Sequence, residues 1–245
     1  MKTRNPVLLA SLLVLLASFS DGCGFVGNGI ESGNVAICYD VPKAVEENQQ
    51  SNELNATFDG EVVYARNVEE VPEDVDMDCG PTRVLKVNDD GQEWRIGYKV
   101  QGADGGESDV TPSVGLEKGE KVEVALTRVQ PWGTSRAFSV KQNGGLVLAL
   151  DDGYSAQLTP EALDGLEVKQ GEAYNATERD GCGKKRAREL VFKGKSRTSL
   201  RNGETGDVEL STGTVRAMNV AAYEFEKLNC TDMSAPNAWA VWRNN

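Results

Sequence analysis

Arg136-Ala137-Phe138-Ser139-Val140-Lys141-Gln142-Asn143-Gly144-Gly145-Leu146-Val147-Leu148-Ala149-Leu150-Asp151 decides the fold. An alternating run of strand-forming residues meets a second run that is apolar almost throughout. Between them stands Asn-Gly, whose tolerance of left-handed backbone makes it the strongest short-range hairpin signal. The same grammar extends outward in both directions. Alternating or β-branched runs occur at 35–39, 61–66, 83–88, 93–100, 120–127, 166–170, 188–193, 207–211, 214–226 and 238–243. Turn chemistry separates them at Asp89-Asp90-Gly91, Ala103-Asp104-Gly105-Gly106, Glu117-Lys118-Gly119, Asp151-Asp152-Gly153 and Asn202-Gly203. Only 42–52, with Pro42 at its start, and 159–163, with Thr159 placed to cap, read as helical. Turns recurring about every 8 to 12 residues predict an all-β chain, an antiparallel sandwich or barrel.

A weak internal echo bears on domain organisation. Cys79-Gly80 leads into Arg83-Val84-Leu85-Lys86-Val87, and Cys182-Gly183 leads into Arg188-Glu189-Leu190-Val191-Phe192. Gly119 to Val124 is echoed in the same way by Gly206 to Leu210. Two organisations follow: tandem β-modules over 35–144 and 145–245, or one β-domain over 35–245.

Composition excludes more chemistry than any motif adds. The chain has 245 residues and no histidine. One chain therefore offers no Ser-His-Asp or Cys-His nucleophile, no imidazole base and no His-bearing metal site. The formal charge of -12 makes duplex nucleic acid and anionic lipid surfaces unfavourable partners for the molecule as a whole.

The N-terminus carries the sharpest motif. Lys2 and Arg4 precede a 13-residue, almost wholly apolar run at 7–19, too short to span a bilayer comfortably, which reads as a secretory signal. Cleavage after Ser20 is one ending. Processing before Cys23, with Gly22 preceding it, is the other, and this ending resembles that of bacterial lipoproteins. The likeness implies a signal over 1–22, an acylated Cys23, a membrane partner reached through that lipid, and a Gly/Asn/Ser-rich tether over 23–34. Ser20 and Asp21 depart from the apolar and small residues that such a motif carries at those positions.

Five cysteines are an odd number for an exported chain. With Cys23 acylated, Cys38, Cys79, Cys182 and Cys230 remain for two disulfides. Three pairings are possible; chain proximity favours Cys38 with Cys79 and Cys182 with Cys230.

Two familiar motifs fail on context. Gly22-Cys23-Gly24-Phe25-Val26-Gly27 fits a dinucleotide fingerprint but straddles the processing point, so no βαβ unit surrounds it. Gly194-Lys195-Ser196 resembles the end of a P-loop, yet position 189 is Glu and no helix pattern follows.

Two charged segments are candidate sites. Asp74, Asp76 and Asp78 alternate along an acidic loop, a pattern that can converge on calcium, although an EF-hand is excluded by Cys79 and Leu85 where Gly and Glu belong. Otherwise no cofactor is expected. Residues 179–201 hold nine Lys and Arg against Asp180 and Glu189; Lys184, Lys185, Arg186 and Arg188 are the candidate anion-binding set, or they neutralise acidic groups within the fold. The carboxylate pairs Asp89-Asp90 and Asp151-Asp152 read as turn residues.

Trp239 and Trp242 are three apart on a strand, so they face opposite sides and at least one enters the core. This ending, with Gly181-Cys182-Gly183 upstream, loosely resembles β-rich lipoproteins of the myxobacterial type over about the last 65 residues. That resemblance implies an envelope location and no known activity. The expected function is an exported cell-envelope lipoprotein of non-catalytic binding or structural role, outer-membrane-anchored or else periplasmic or extracellular, with a protein or glycan partner. A carboxylate-dependent secreted hydrolase, the catalytic class that tolerates lacking histidine, and a calcium-stabilised adhesion module are the alternatives.

Overall fold

The structure is a computed structural model that describes residues 33–43, 45, 53–71, 77–102, 108–129, 135–180, 183–226 and 237–244, with backbone only at 175–180, 183–185 and 225–226. Among these residues the chain is all-β. Its strands are β1 (Asn34–Asp40), β2 (Leu54–Asn67), β3 (Arg83–Asp89), β4 (Gln92–Gln101), β5 (Lys121–Val129), β6 (Ser135–Gln142), β7 (Gly145–Asp151), β8 (Glu167–Asp180), β9 (Gly183–Lys193), β10 (Arg197–Leu200), β11 (Thr205–Glu209), β12 (Thr214–Glu226) and β13 (Asn237–Arg243). All pairings are antiparallel, in the order β1-β4-β3-β2-β5-β6-β7-β13-β12-β9-β10, with β11 added to β12 and β8 to β9. The sheet curls into a half-barrel, and Gly33 N–H at the mouth of β1 reaches back across it to Val220 O of β12 at 3.2 Å.

Turn chemistry sets the hairpins. Asn143 and Gly144 both hold positive φ, 54° and 77°, the conformation whose twist matches the flanking strands of β6 and β7. The sheet runs on through this turn, because β7 pairs with β6 on one side and β13 on the other.

Every residue of β7 is buried. The reason is that two cores lie against its two faces. Leu148 and Leu150 join Val124, Leu126, Phe138 and Val140 inside the half-barrel. Leu146 and Ala149 join Leu163, Leu166, Leu190, Phe192 and Trp239 in a second core outside it. This two-sided burial explains why β7 reads as a continuous apolar run; β6 is covered on both faces at 137–140 as well, and meets that cover with small Ala137 and Ser139 on its outer side. Trp239 and Trp242 divide as their spacing requires, one into the second core and the other against the first.

The second core is closed by β8 to β11 and by the segment from Gly153 to Leu166, which crosses the outer face of β5, β6 and β7. That face carries the small residues Ala125, Ala137, Ser139 and Ala149, all buried, so a peptide can lie close over it. Thr127 Oγ1 and Lys141 Nζ tie the segment down at Gln157 O and Glu161 O, 3.3 and 2.9 Å away.

Between β9 and β12 the ladder forks, since β12 pairs β9 only at 223–226 and then turns to β11. Buried Asn219 stitches the fork, its amide donating to Arg188 O (3.1 Å) and Leu200 O (2.9 Å).

Cys38 and Cys79 form a disulfide, as chain proximity suggests, linking β1 to the turn before β3. It packs over Gly97, the cross-strand neighbour of Cys38. A Cβ at Gly97 would stand within 2.9 Å of Met77 Sδ, Pro81 Cγ and Cys38 Sγ. The loop closed between the two cysteines is 41 residues long, for which the chain-entropy estimate is about 4 kcal/mol of stabilisation. Cys23, Cys182 and Cys230 lie outside the described residues, as do the signal and most of the tether.

Several boundaries differ from expectation for local reasons. β2 begins at Leu54 instead of 61, because Leu54, Ala56 and Phe58 alternate apolar positions among polar ones. β10 escapes prediction because Arg197-Thr198-Ser199-Leu200 offers one buried residue in four. Residues 159–163 make a single turn, in which Thr159 Oγ1 accepts from Ala162 N–H, before Asp164 and Gly165 with positive φ lead away toward β8. After Pro42 the described residues Lys43 and Val45 are helical, as expected, with Val45 N–H on Pro42 O, and the rest of the expected helix lies outside the described residues. Gly194-Lys195-Ser196 is the β9–β10 turn, not a phosphate loop: Lys195 N–H is taken by Glu209 O.

Candidate functional site

A cavity of about 340 Å³ opens between the crossing segment, the starts of β8 and β13, and the end of β7. Its floor is apolar, from Leu163, Leu166, Leu190 and Trp239; its polar lining is Asp151, Glu167, Lys169, Gln170 and Asn237. Its volume lies at the low end of the range of small-molecule sites, and it stays partly open to solvent. Exposed Tyr154, a large aromatic in water, stands at its edge.

Strand register assembles the wall. Asp151 is the last residue of β7, directly opposite Trp239 of β13, so both side chains share the outer face. Gly153 follows with φ of 89°, and its Cβ position lies 2.3 Å from Ala238 N, so only glycine allows the chain to press against β13 here. In that conformation Gly153 N–H donates to Asp151 Oδ1 (2.7 Å) and Gly153 O accepts from Asn237 N–H (2.8 Å). Asn237 Oδ1 in turn accepts from Gln170 Nε2 at 2.7 Å, joining the β13 and β8 sides of the rim.

Asp152 faces the other way and acts as a staple. Its carboxylate accepts from Ser135 Oγ (2.8 Å), Arg136 N–H (2.6 Å) and Tyr154 N–H (3.3 Å). Ser135 Oγ then accepts from Ser155 and Ala156 N–H, 2.9 and 2.8 Å away, which uses its full hydrogen-bonding capacity. The start of the crossing segment is thereby pinned to β6, and the cavity wall with it.

The two carboxyls differ in their surroundings. Burial pushes Asp151 up to about 8, with the nearby charge of Asp152 adding a little, while the Gly153 N–H pulls the other way. Burial also raises Asp152, but Ser135, the backbone donors and the Arg136 guanidinium oppose it. Glu167 on β8 is shifted down, because Lys169 bonds to it at 2.8 Å and Lys193 stands 3.7 Å away. Next to the staple, the buried Tyr39 hydroxyl donates to Ala137 O at 2.7 Å; burial first and Asp152 second hold its phenol protonated.

The residues singled out from sequence are dispersed. Asp78 stands 3.6 Å from Arg136 Nη2, at the β6 end of the half-barrel, while Asp74 and Asp76 lie outside the described residues. Asp78 approaches Cys38 and Cys79 as well, but a disulfide offers no thiolate to a metal. Arg188 is gripped by Glu224 through Nε at 2.9 Å and through Nη2, and donates from Nη1 to Gly171 O at 2.7 Å. Arg186 lies 4.0 Å from Glu224, and Arg201 lies 3.4 Å from Glu189 and 5.0 Å over the Tyr174 ring. Among the described residues, Arg188, Arg186 and Arg201 meet acids of the second half, Glu224 and Glu189. Lys184 and Lys185 belong to β9, and their side chains are outside the description.

Asp151 is the group that sequence reasoning assigned to a turn. A signal for it exists: it closes a strand whose every other residue is buried, so its side chain continues the Ala149 face instead of leaving the sheet.

Comparison with family models, with curated proteins and with solved structures gives no match to this chain.

Proposed function

We propose that this chain is an exported, non-catalytic β-protein of a bacterial cell envelope, anchored through acylated Cys23, that holds a ligand or surface partner on the outer face of its sheet. The Cys38–Cys79 disulfide carries the export half of the reading: it packs over Gly97 with Cys38 buried, and such bonds persist in oxidising compartments. The basic and apolar residues before Cys23 support the same conclusion. The absence of histidine and the cavity with an apolar floor support binding without turnover. The test is intact-mass analysis of the protein from its own membranes, with and without reduction. The expected result is a chain beginning at acylated Cys23 that gains about four hydrogens on reduction. An unacylated chain or free thiols would overturn the anchored, oxidised reading.

One observation favours a second reading, a carboxylate-dependent hydrolase. Asp151 and Glu167 both line the cavity, and their surroundings push them apart, one held protonated near neutral pH and the other ionised. That divergence is the arrangement of an acid and its counterpart base or nucleophile. It ranks second because Glu167 is already occupied by two lysines. Turnover of an aryl glycoside that is lost in Asp151→Asn would place it first.

A further inference from the structure

Among the described residues, Asp151 is the acid of the cavity with no ion-pair partner. Its only hydrogen bond among the described residues is the Gly153 N–H on Oδ1, and it is 9% exposed. Its neighbours are compensated: Asp152 by Arg136, and Glu167 by Lys169 and Lys193. A buried carboxyl without a counter-charge is costly unless something supplies one. The group meets that cost by holding a proton, and it sits at the wall of a cavity where a cation could take the proton's place.

We propose that the cavity binds an organic ammonium ion with an apolar body, the cation against Asp151 and the body over Leu163, Leu166, Leu190 and Trp239. The proposal rests on the binding reading above and names its ligand class. Four observations converge on it. Asp151 and Trp239 are cross-strand partners on one face, so a cation beside the carboxyl also lies near an indole ring. The floor is apolar and takes the carbon skeleton. The donor set suits a hard metal ion poorly, because Asp151 is the one carboxyl of the lining that is not already engaged by a lysine. The net charge of -12 draws cations toward the surface.

Binding couples to a proton. Burial keeps Asp151 protonated at pH 7, so an ammonium ion displaces that proton, and affinity rises as pH climbs toward 8. The titratable groups around the cavity and next to Asp151 in the chain leave this dependence readable. Glu167 is held ionised by Lys169, Tyr154 is pushed upward by burial, and Asp152 is bound to Ser135, to backbone donors and to the Arg136 charge.

The experiment is calorimetric titration of the full mature chain with phenethylamine, with its uncharged counterpart phenethyl alcohol, and with methyl glucoside, at pH 6 and pH 8. The expected result is saturable binding of the amine, at least about tenfold tighter at pH 8 than at pH 6, and about tenfold weaker binding of the alcohol. Asp151→Asn should erase the preference for the amine; it keeps the acceptor for Gly153 N–H and so should remain folded. Equal affinity for amine and alcohol, a flat pH dependence, or an unchanged Asp151→Asn variant would each overturn the proposal. Glucoside binding that is tighter at pH 6 would also overturn it, marking a neutral hydroxyl site served by a protonated acid. If the amine does not bind while the mass analysis shows an acylated, oxidised chain, the ligand class fails and the envelope reading stands. If the amine binds to a chain that is neither, the reverse holds.

Discussion

Replacing Asp151 with asparagine should make this protein more stable, and increasingly so as pH rises. In the folded chain burial raises this carboxyl from 3.8 to about 8. The native state therefore holds a proton that the unfolded chain releases at any pH between those values. Because the native state binds more protons there, stability falls as pH increases, by about 1.4 kcal/mol per pH unit for this one group. Across the window the loss amounts to about 6 kcal/mol, comparable with the whole stability of a small domain. Asparagine removes the ionisation and keeps the oxygen that accepts the Gly153 N–H at 2.7 Å. The assay is urea unfolding of both proteins at pH 5, 6, 7 and 8 and constant ionic strength, read as the difference between them so that other titrating groups cancel. The variant should gain about 1 kcal/mol on the wild type for each pH unit. A difference that stays flat, or that narrows with pH, would falsify the burial argument. The result has a functional edge, since a residue whose removal stabilises the fold is one retained for what it does.

Other expectations follow from packing. Removing the Cys38–Cys79 bond by Cys38→Ser with Cys79→Ser should lower the unfolding free energy by about 4 kcal/mol, read from the urea midpoint. Gly97→Ala forces a methyl within 2.9 Å of both Met77 Sδ and Cys38 Sγ, and a loss of about 1–3 kcal/mol is expected in the same assay. Leu148→Ala, at a position with no exposure, should cost about 3–5 kcal/mol and lower Tm accordingly. Pairing of Arg188 with Glu224 predicts that Glu224→Gln weakens the β9–β12 junction by about 1–2 kcal/mol, with the loss reduced in an Arg188→Met background.

Much of the fold is local chemistry. The β6–β7 hairpin is legible because Asn-Gly meets a conformational requirement within two residues, and the period-2 pattern of the flanking strands acts over a handful more. Burial on two faces shows as the unbroken apolar run of β7, although that run alone does not say what lies on each face. The Trp239 and Trp242 spacing divides the rings between opposite sides by strand geometry alone. Export and acylation belong to the N-terminal pattern and stand as expectations from it.

The site is another matter, because its walls come from residues 151, 153–154, 156–158, 160, 163, 166–170, 190, 237 and 239. No pattern within a window connects them; strand order does, by placing β7 beside β13 and β8 beside β9. Asp151 shows the distinction most directly. In the chain it is one of two acids before a glycine, with the composition of a turn. In the fold the crossing segment closes over it and Trp239 stands opposite, and those neighbours, not its own chemistry, remove the water that would keep it ionised at neutral pH. The basic stretch of 179–201 behaves similarly: its charge is visible in sequence, but whether Arg188 meets a ligand or Glu224 depends on which strand lies alongside. Conformation of the backbone is set by nearest neighbours along the chain, whereas burial and charge compensation are set by neighbours in space.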